Sequence, residues 1–90
     1  MTRLDQLQSR LTATLSPVVC ELHDDSAAHA GHAGAASGGG HYNLKIISHQ
    51  FEGLNRISRH RLVYDAIGDM MHTEVHALAI VALAPSEIPT

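Results

Sequence analysis

The first part of the chain repeats leucine at the spacing of one helical face. Leucines recur every three or four positions between residues 4 and 15, with polar residues between them, and this period places them on one side of an α-helix. Thr2 can accept a hydrogen bond at the helix start, and Asp5 stands where a capping box has its acid. Pro17 breaks the helix. The pattern predicts a helix over residues 2–15 with its apolar face formed by Leu4, Leu7, Leu11 and Leu15.

Two strands follow, separated by a long run of small residues. The segment VVCELHDD after Pro17 is rich in β-branched residues, which favour strands. HYNLKIIS, residues 41–48, places Tyr42, Leu44 and Ile46 at alternate positions, which is typical of a half-buried strand. Between the two strands, residues 26–40 are almost entirely Ala, Gly, Ser and His. We predict a hairpin whose connection is far longer than the usual two to five residues.

The second half of the chain predicts one helix and one further strand. From Ser58 to His72 apolar residues again lie on one helical face. VHALAIVALA, residues 75–84, is a continuous apolar run that Pro85 ends. The order of elements predicts an α+β fold, a two-layer αββαβ sandwich with a three-stranded mixed sheet and both helices on one face. The third strand arrives by a helical crossover, so we expect it to run parallel to one of the others.

Length and composition narrow the class of protein. Ninety residues suffice for one core, so we predict a single domain over residues 1–90, with a C-terminal tail at 85–90. The formal charge of −3 argues against non-specific coating of nucleic acid, which needs a broad basic surface. Cys20 is the only cysteine, so no disulfide forms within the chain. We find no signal-type or membrane-spanning run and expect a reducing, cytoplasmic location.

The histidines in the small-residue run, residues 26–40, can be interpreted in two ways. The run is either a flexible linker with incidental histidines or a segment that brings imidazole ligands to a metal. His29 and His32 are three residues apart and His41 follows the run, but no cysteine or carboxylate in it completes a closed zinc site. Further ligands would then come from elsewhere in the fold or from another protein. GHAG, residues 31–34, matches the GxxG of KH domains, but it falls between two predicted strands instead of two helices.

A basic cluster opens the second predicted helix. Arg56, Arg59 and Arg61 surround His60 there and make up half of the lysines and arginines of the chain. Positive charge at a helix start opposes the helix dipole. The cluster is either a solvated helix face or a site for an anion, such as a phosphate, a carboxylate or an acidic partner surface.

Four motifs in order resemble the BolA family. They are the HAGH run, HYNLKIIS followed by FEG, the Arg-His-Arg of SRHRLVYDAIGDMMHTE, and VHAL at the start of the last strand. The resemblance covers the chain from about Leu4 to Glu87. It implies a class II KH-like fold with the element order αββαβ.

The resemblance also implies ligands, a cofactor and partners. The family histidine of VHAL falls on His76, and the second, loop ligand falls on His29 or, alternatively, His32. These histidines would share a [2Fe–2S] cluster with glutathione and a monothiol, CGFS-type glutaredoxin, and we expect no cofactor in the isolated protein. Other family members are DNA-binding transcriptional regulators, a function that Arg56, Arg59, His60 and Arg61 would serve here.

We therefore carry two hypotheses from the sequence. The first is a non-enzymatic adaptor for iron–sulfur cluster assembly, trafficking or iron regulation, with the isolated protein a monomer or weak dimer. The second is a DNA-binding regulator of the stress-response type. An enzyme ranks third, because no nucleophile–base or paired-carboxylate arrangement is evident in the sequence.

Overall fold

The leucine-rich N-terminal segment forms the first helix. A computed structural model describes residues 2–25, 40–73 and 75–88, and α1 covers Arg3–Leu15. The predicted capping box is present: the Asp5 N–H donates to Thr2 Oγ1 at 3.1 Å, and the Thr2 N–H donates to the Asp5 carboxylate at 3.3 Å. The helix ends at Ser16, whose φ of 44° is left-handed. Three of the four predicted leucines are buried, and Leu4 packs against the edge of the same core.

Three strands form one mixed sheet with β2 in the centre. β1 covers Val19–Asp24, β2 covers Gly40–Ile47 and β3 covers Val75–Leu83. β1 pairs with β2 antiparallel, and β3 pairs with β2 parallel. The predicted mixed sheet and helical crossover are therefore confirmed.

The crossover consists of two helices instead of the one predicted from Ser58 to His72. α2 covers Arg56–Ile67 and α3 covers Met70–Thr73. Asn55 starts α2 two residues earlier than expected, because its side chain accepts the Ser58 N–H at 2.8 Å. Gly68 ends α2 with a φ of 57°, a left-handed conformation that glycine adopts without steric cost. The prediction of a continuous helix was wrong because the apolar spacing runs through this break.

The core lies between one face of the sheet and the helices. Alternate residues of β2 point into it, together with one side of α1 and of α2. Phe51, in a 3₁₀ turn at His49–Phe51, is fully buried beneath them. The two-layer α+β fold is confirmed, whereas the class II KH-like assignment stays a prediction. The buried residues of the two layers include Leu7, Leu11, Leu15, Tyr42, Leu44, Ile46, Val63, Ile67, Met70 and Val75.

An arginine of α1 fixes the end of α2. The Arg10 guanidinium donates to the Ile67 carbonyl at 2.6 Å and to the Asp69 carboxylate at 3.1 Å. The last carbonyls of a helix have no partner within it, so this contact satisfies one of them. The same hydrogen bond lowers the pKa of Asp69. Arg10 thereby connects α1 to the break between α2 and α3.

Ser48 joins α1, β2 and β3 at the end of the sheet where β2 and β3 finish. It is fully buried, and its hydroxyl donates to the last α1 carbonyl, that of Leu15, at 2.7 Å. The hydroxyl also accepts the Gln50 N–H at 3.2 Å, and the Ser48 N–H donates to the Leu83 carbonyl of β3 at 3.1 Å. The ends of α1, β2 and β3 are therefore held together by one small residue.

We predict that Ser48→Ala lowers the free energy of unfolding by about 1–3 kcal/mol, because it leaves a buried carbonyl without its donor. Urea unfolding followed by circular dichroism measures the change. Ser9→Ala, on the exposed side of α1, is the matched control and should stay within about 0.5 kcal/mol of the wild type. Equal stability of the two variants would contradict the role given to Ser48.

Candidate functional site

His76 occupies an irregular position at the start of β3. In the parallel pairing of β2 with β3, Gly40 pairs with Val75 and His41 pairs with Ala77. His76 is therefore the extra residue of a bulge and has no partner residue on β2. Bulges interrupt a ladder and are frequent beside functional sites. The predicted ligand thus lies at a break in the sheet instead of within a regular strand.

Both ends of segment 26–39 meet the sheet at the same end as His76. The Asp25 N–H donates to the His41 carbonyl at 2.7 Å, and the Asn43 side-chain amide donates to the Asp25 carboxylate. These bonds fix the chain where it leaves β1. His29 and His32, the predicted loop ligands, lie outside the described residues.

Gly40 fixes the chain where it returns to the sheet. A Cβ at this residue would lie 2.5 Å from the ring of Tyr42, which is buried. Any larger residue must therefore displace a core side chain. Gly40 itself pairs with Val75, so this pairing and the Asp25 contacts keep both anchors of segment 26–39 at the end of the sheet where β3 begins.

Cys20 lies far from this end of the sheet. Cys20 pairs with Ile46 of β2, and Ile46 pairs with Ala82 of β3. Ala82 is six residues beyond His76, which is about 20 Å along the strand. Burial raises the pKa of the Cys20 thiol, which disfavours the thiolate that binds metals. Among the described residues, no three His, Cys, Asp or Glu side chains gather into a metal site.

The basic cluster lies at the opposite end of the sheet and divides into two kinds of residue. Arg56 and Arg61 are exposed on the first turns of α2. His60 is half-buried, and its ring makes an edge contact with Tyr64 at 6.4 Å between centroids. These three side chains remain candidates for binding an anion or an acidic partner.

Arg59 is instead engaged within the protein. Its side chain is only 11% exposed. Its Nε donates to the Leu54 carbonyl at 2.9 Å, and its Nη1 donates to the Ala82 carbonyl at 3.1 Å and to Glu87 Oε1 at 2.5 Å. The guanidinium thus connects the segment before α2, the end of β3 and the 3₁₀ turn at Pro85–Glu87.

No pattern in the sequence predicted that Arg59 binds Glu87 and two backbone carbonyls. Glu87 also accepts the Ala84 N–H at 2.7 Å, and these contacts lower its pKa. Pro85 follows Ala84 and precedes Glu87 by two residues, a spacing typical of a helix start. This spacing could have predicted the bond between Glu87 and the Ala84 N–H. The carbonyls carry no signal in the sequence, because any residue supplies one.

The structure therefore separates the predicted site residues into two regions. His76 lies at the start of β3, beside both anchors of segment 26–39. Arg59 contacts Ala82 near the end of the same strand, about 20 Å away. One small ligand cannot touch both regions, whereas a folded partner can.

Comparisons with known proteins agree on one family. The family model described as BolA-like protein matches residues 11–87. The chain is 42% identical over 91 residues to a protein named BOLA1, chloroplastic, of Arabidopsis thaliana, covering 98% of this chain and 57% of that protein. It is 33% identical over 76 residues to the DNA-binding transcriptional regulator BolA of Escherichia coli, covering 84% and 70%.

The solved structure of BolA1 from Arabidopsis thaliana has the same fold. It superposes with a TM-score of 0.83 at 38% identity and covers 99% of both chains. The chain nevertheless spans little more than half the length of the first curated relative. In the described residues no helix is long and apolar enough to cross a membrane. Because that relative is named as chloroplastic, the cytoplasmic location stays a prediction.

We predict that Arg59→Gln lowers the free energy of unfolding by about 2 kcal/mol, because two carbonyls and a carboxylate lose their shared donor. Arg56→Gln, at an exposed position of the same helix, should remain within about 0.5 kcal/mol of the wild type. Urea unfolding measures the free energy of unfolding of both variants and of the wild type.

The difference between wild type and Arg59→Gln should also depend on pH. Arg59 lowers the pKa of Glu87 in the folded protein, so their ion pair stabilises the fold fully above the ordinary pKa of glutamate. This stabilisation is lost as the pH falls through the lowered value. A stability gap that stays constant or widens in acid would contradict the pairing.

Proposed function

The chain belongs to the BolA family, and we propose that it is an adaptor that binds a monothiol glutaredoxin and shares a [2Fe–2S] cluster with it. The observation that carries the proposal is the placement of His76. It lies at a break in the pairing of β3, beside both anchors of the segment that contains two further histidines. One proposed ligand thus belongs to the sheet, and the segment between the two anchors supplies the other candidates, His29 and His32.

The family resemblance ranks the two loop histidines, because His29 is the better match to the family's loop ligand. We therefore propose His76 and His29 as the ligand pair, with His32 as the alternative.

The cluster is cargo that the two proteins share. Imidazoles in place of thiolates on one iron raise the reduction potential of a [2Fe–2S] cluster, as Rieske centres show. The glutaredoxin and glutathione would supply the thiolates. The chain itself catalyses no reaction in this proposal; it binds the partner and offers nitrogen ligands.

The exposed arginines supply a second contact for the same partner. Arg56 and Arg61 are exposed on the helix whose Arg59 contacts Ala82, about 20 Å from His76 along β3. A domain of about 100 residues has a radius of gyration of about 13 Å, so it spans both regions. Acidic groups on its surface would be steered to these arginines and would speed association.

We predict that His76→Ala abolishes the Rieske-like visible circular dichroism of the protein mixed with a glutathione-loaded holo-glutaredoxin, because one nitrogen ligand is lost. His49→Ala, an exposed histidine at the opposite end of the sheet, is the control and should leave the spectrum unchanged. Thermal unfolding of the apo-proteins checks that both variants fold.

The loop variants complete this experiment. His29→Ala should weaken the mixed complex more than His32→Ala, and the double variant should be the weakest. Wild-type behaviour of both single variants with loss in the double would make the two histidines interchangeable. A wild-type spectrum in His76→Ala would exclude His76 as a ligand.

DNA-binding regulation is the second candidate function. One observation favours it: the Escherichia coli relative, 33% identical, is named a DNA-binding transcriptional regulator. Arg56, His60 and Arg61 would contact phosphates from the first turns of α2. Against it stands the net charge of −3, since DNA affinity grows with the number of phosphates neutralised.

We predict that the double variant Arg56→Gln/Arg61→Gln binds glutaredoxin with a slower association rate and a nearly unchanged dissociation rate. Lys45→Gln, on the exposed face of β2, is the control. Stopped-flow or biosensor kinetics measure both. If the arginines contact DNA instead, the double variant should flatten the dependence of log affinity on log salt by up to about two units, and glutaredoxin binding should be unaffected.

A further inference from the structure

Glu87 places a carboxylate of the chain itself into the basic groove. The groove, of about 370 Å³, lies between the start of α2 and the end of β3. Its lining includes three basic side chains, those of Arg56, Arg59 and His60, and Glu87 is the only acid among the described lining residues. Glu87 Oε1 lies 2.5 Å from Arg59 Nη1. The Arg59 guanidinium, whose side chain is 11% exposed, is therefore already bound to a carboxylate.

The exposure of the two partners shows which one covers the other. The Arg59 side chain is 11% exposed, whereas that of Glu87 is 43% exposed. Glu87 thus lies on the solvent side of the pair. An external carboxylate can reach Arg59 Nη1 only after Glu87 has moved away.

The turn that holds Glu87 is attached by few side-chain contacts. Apart from the bonds of Glu87, the Ser86 hydroxyl donates to Glu52 Oε1 at 2.6 Å, and both residues are exposed. The Glu87 side chain is itself 43% exposed, so water can replace its hydrogen bonds when it leaves Arg59. Arg59 then keeps its two backbone acceptors.

We propose that Glu87 is an autoinhibitory occupant of this groove and competes with a carboxylate of the acidic partner for Arg59. The inference rests on the proposed function for the identity of that partner. Displacement of Glu87 would add Arg59 to the exposed arginines as a third contact. In the free protein Glu87 neutralises Arg59, the basic group that also bonds to the end of β3.

The groove also indicates which carboxylate fits. Val81 is 52% exposed at one side of it, and Leu54 and Leu83 contribute further apolar lining. An aspartate or glutamate next to an apolar residue would contact both the guanidinium and this apolar wall. Glu87 itself is followed by Ile88, so the chain's own C-terminal turn has this pattern.

The first experiment needs no glutaredoxin and uses citrate as a tricarboxylate probe. The Nε–Hε signal of Arg59 is followed by NMR while citrate is added to the full chain. Glu87→Gln keeps the size of the side chain and removes its charge, so we expect a citrate-dependent shift at a concentration about fivefold lower than in the wild type. Glu52→Gln removes the neighbouring carboxylate without touching Arg59 and should respond like the wild type.

Glu87→Asp provides a second test in case Glu87→Gln disturbs the turn. It keeps the charge but shortens the side chain by one methylene, so its citrate response should be intermediate. Thermal unfolding confirms that each variant is folded. If neither Glu87 variant binds citrate more tightly than Glu52→Gln does, the occupant role is wrong, whatever the partner.

The second experiment measures affinity for a monothiol glutaredoxin by calorimetry. We expect Glu87→Gln to bind about fivefold more tightly than the wild type, and Glu52→Gln to bind like it. Measurable binding with no gain in Glu87→Gln would overturn the competition while leaving the proposed function intact. Absence of glutaredoxin binding in every variant would overturn both the proposed function and the partner named here, and the citrate response would then decide the occupant role alone.

Discussion

The parallel pairing of β2 with β3 determines where every candidate group of this protein lies. Two parallel neighbours cannot be joined by a tight turn, so the chain must return along the length of the sheet before β3 starts. α2 and α3 make that return. As a result the first turn of α2 lies at the ends of β2 and β3, and α3 leads to their beginnings. The antiparallel β1 then directs segment 26–39 to the same end as the start of β3.

This topology produces two functional ends with different physical characters. At the beginning of β3, a bulge at His76 and the closely packed Gly40 interrupt the regular sheet. At the other end, the Ser48 hydroxyl and the Arg59 guanidinium form hydrogen bonds to backbone carbonyls and hold the backbone in place. The first end therefore interrupts the regular pairing of the strands, whereas the second presents positive charge on a backbone held by buried hydrogen bonds. A partner of domain size can use both ends at once, whereas a small ligand cannot.

Sequence periodicity was sufficient for features that depend on neighbours along the chain. The capping box of α1, the leucine face and the alternation in β2 each involve residues two to four positions apart, and the structure confirms them. The break at Gly68 was missed because glycine is also tolerated inside a helix, and its left-handed φ depends on how the crossover must turn. The partners of Arg59 were missed because Ala82 and Glu87 are 23 and 28 residues away. Such contacts follow from the fold and have no local pattern.

Arg59 shows why a cluster of like charges in a sequence cannot be treated as one site. Arg61 is two positions from Arg59 and points to another side of α2, whereas Arg56, three positions away, lies on the same side. Arg59 is the arginine that bonds to the end of β3. There it meets two backbone carbonyls, which hold the guanidinium in place whether or not a carboxylate is bound. A cation fixed in this way loses little conformational freedom when it binds an acid. The same contacts that stabilise the fold therefore prepare Arg59 for a carboxylate, and Glu87 is the one the chain itself provides.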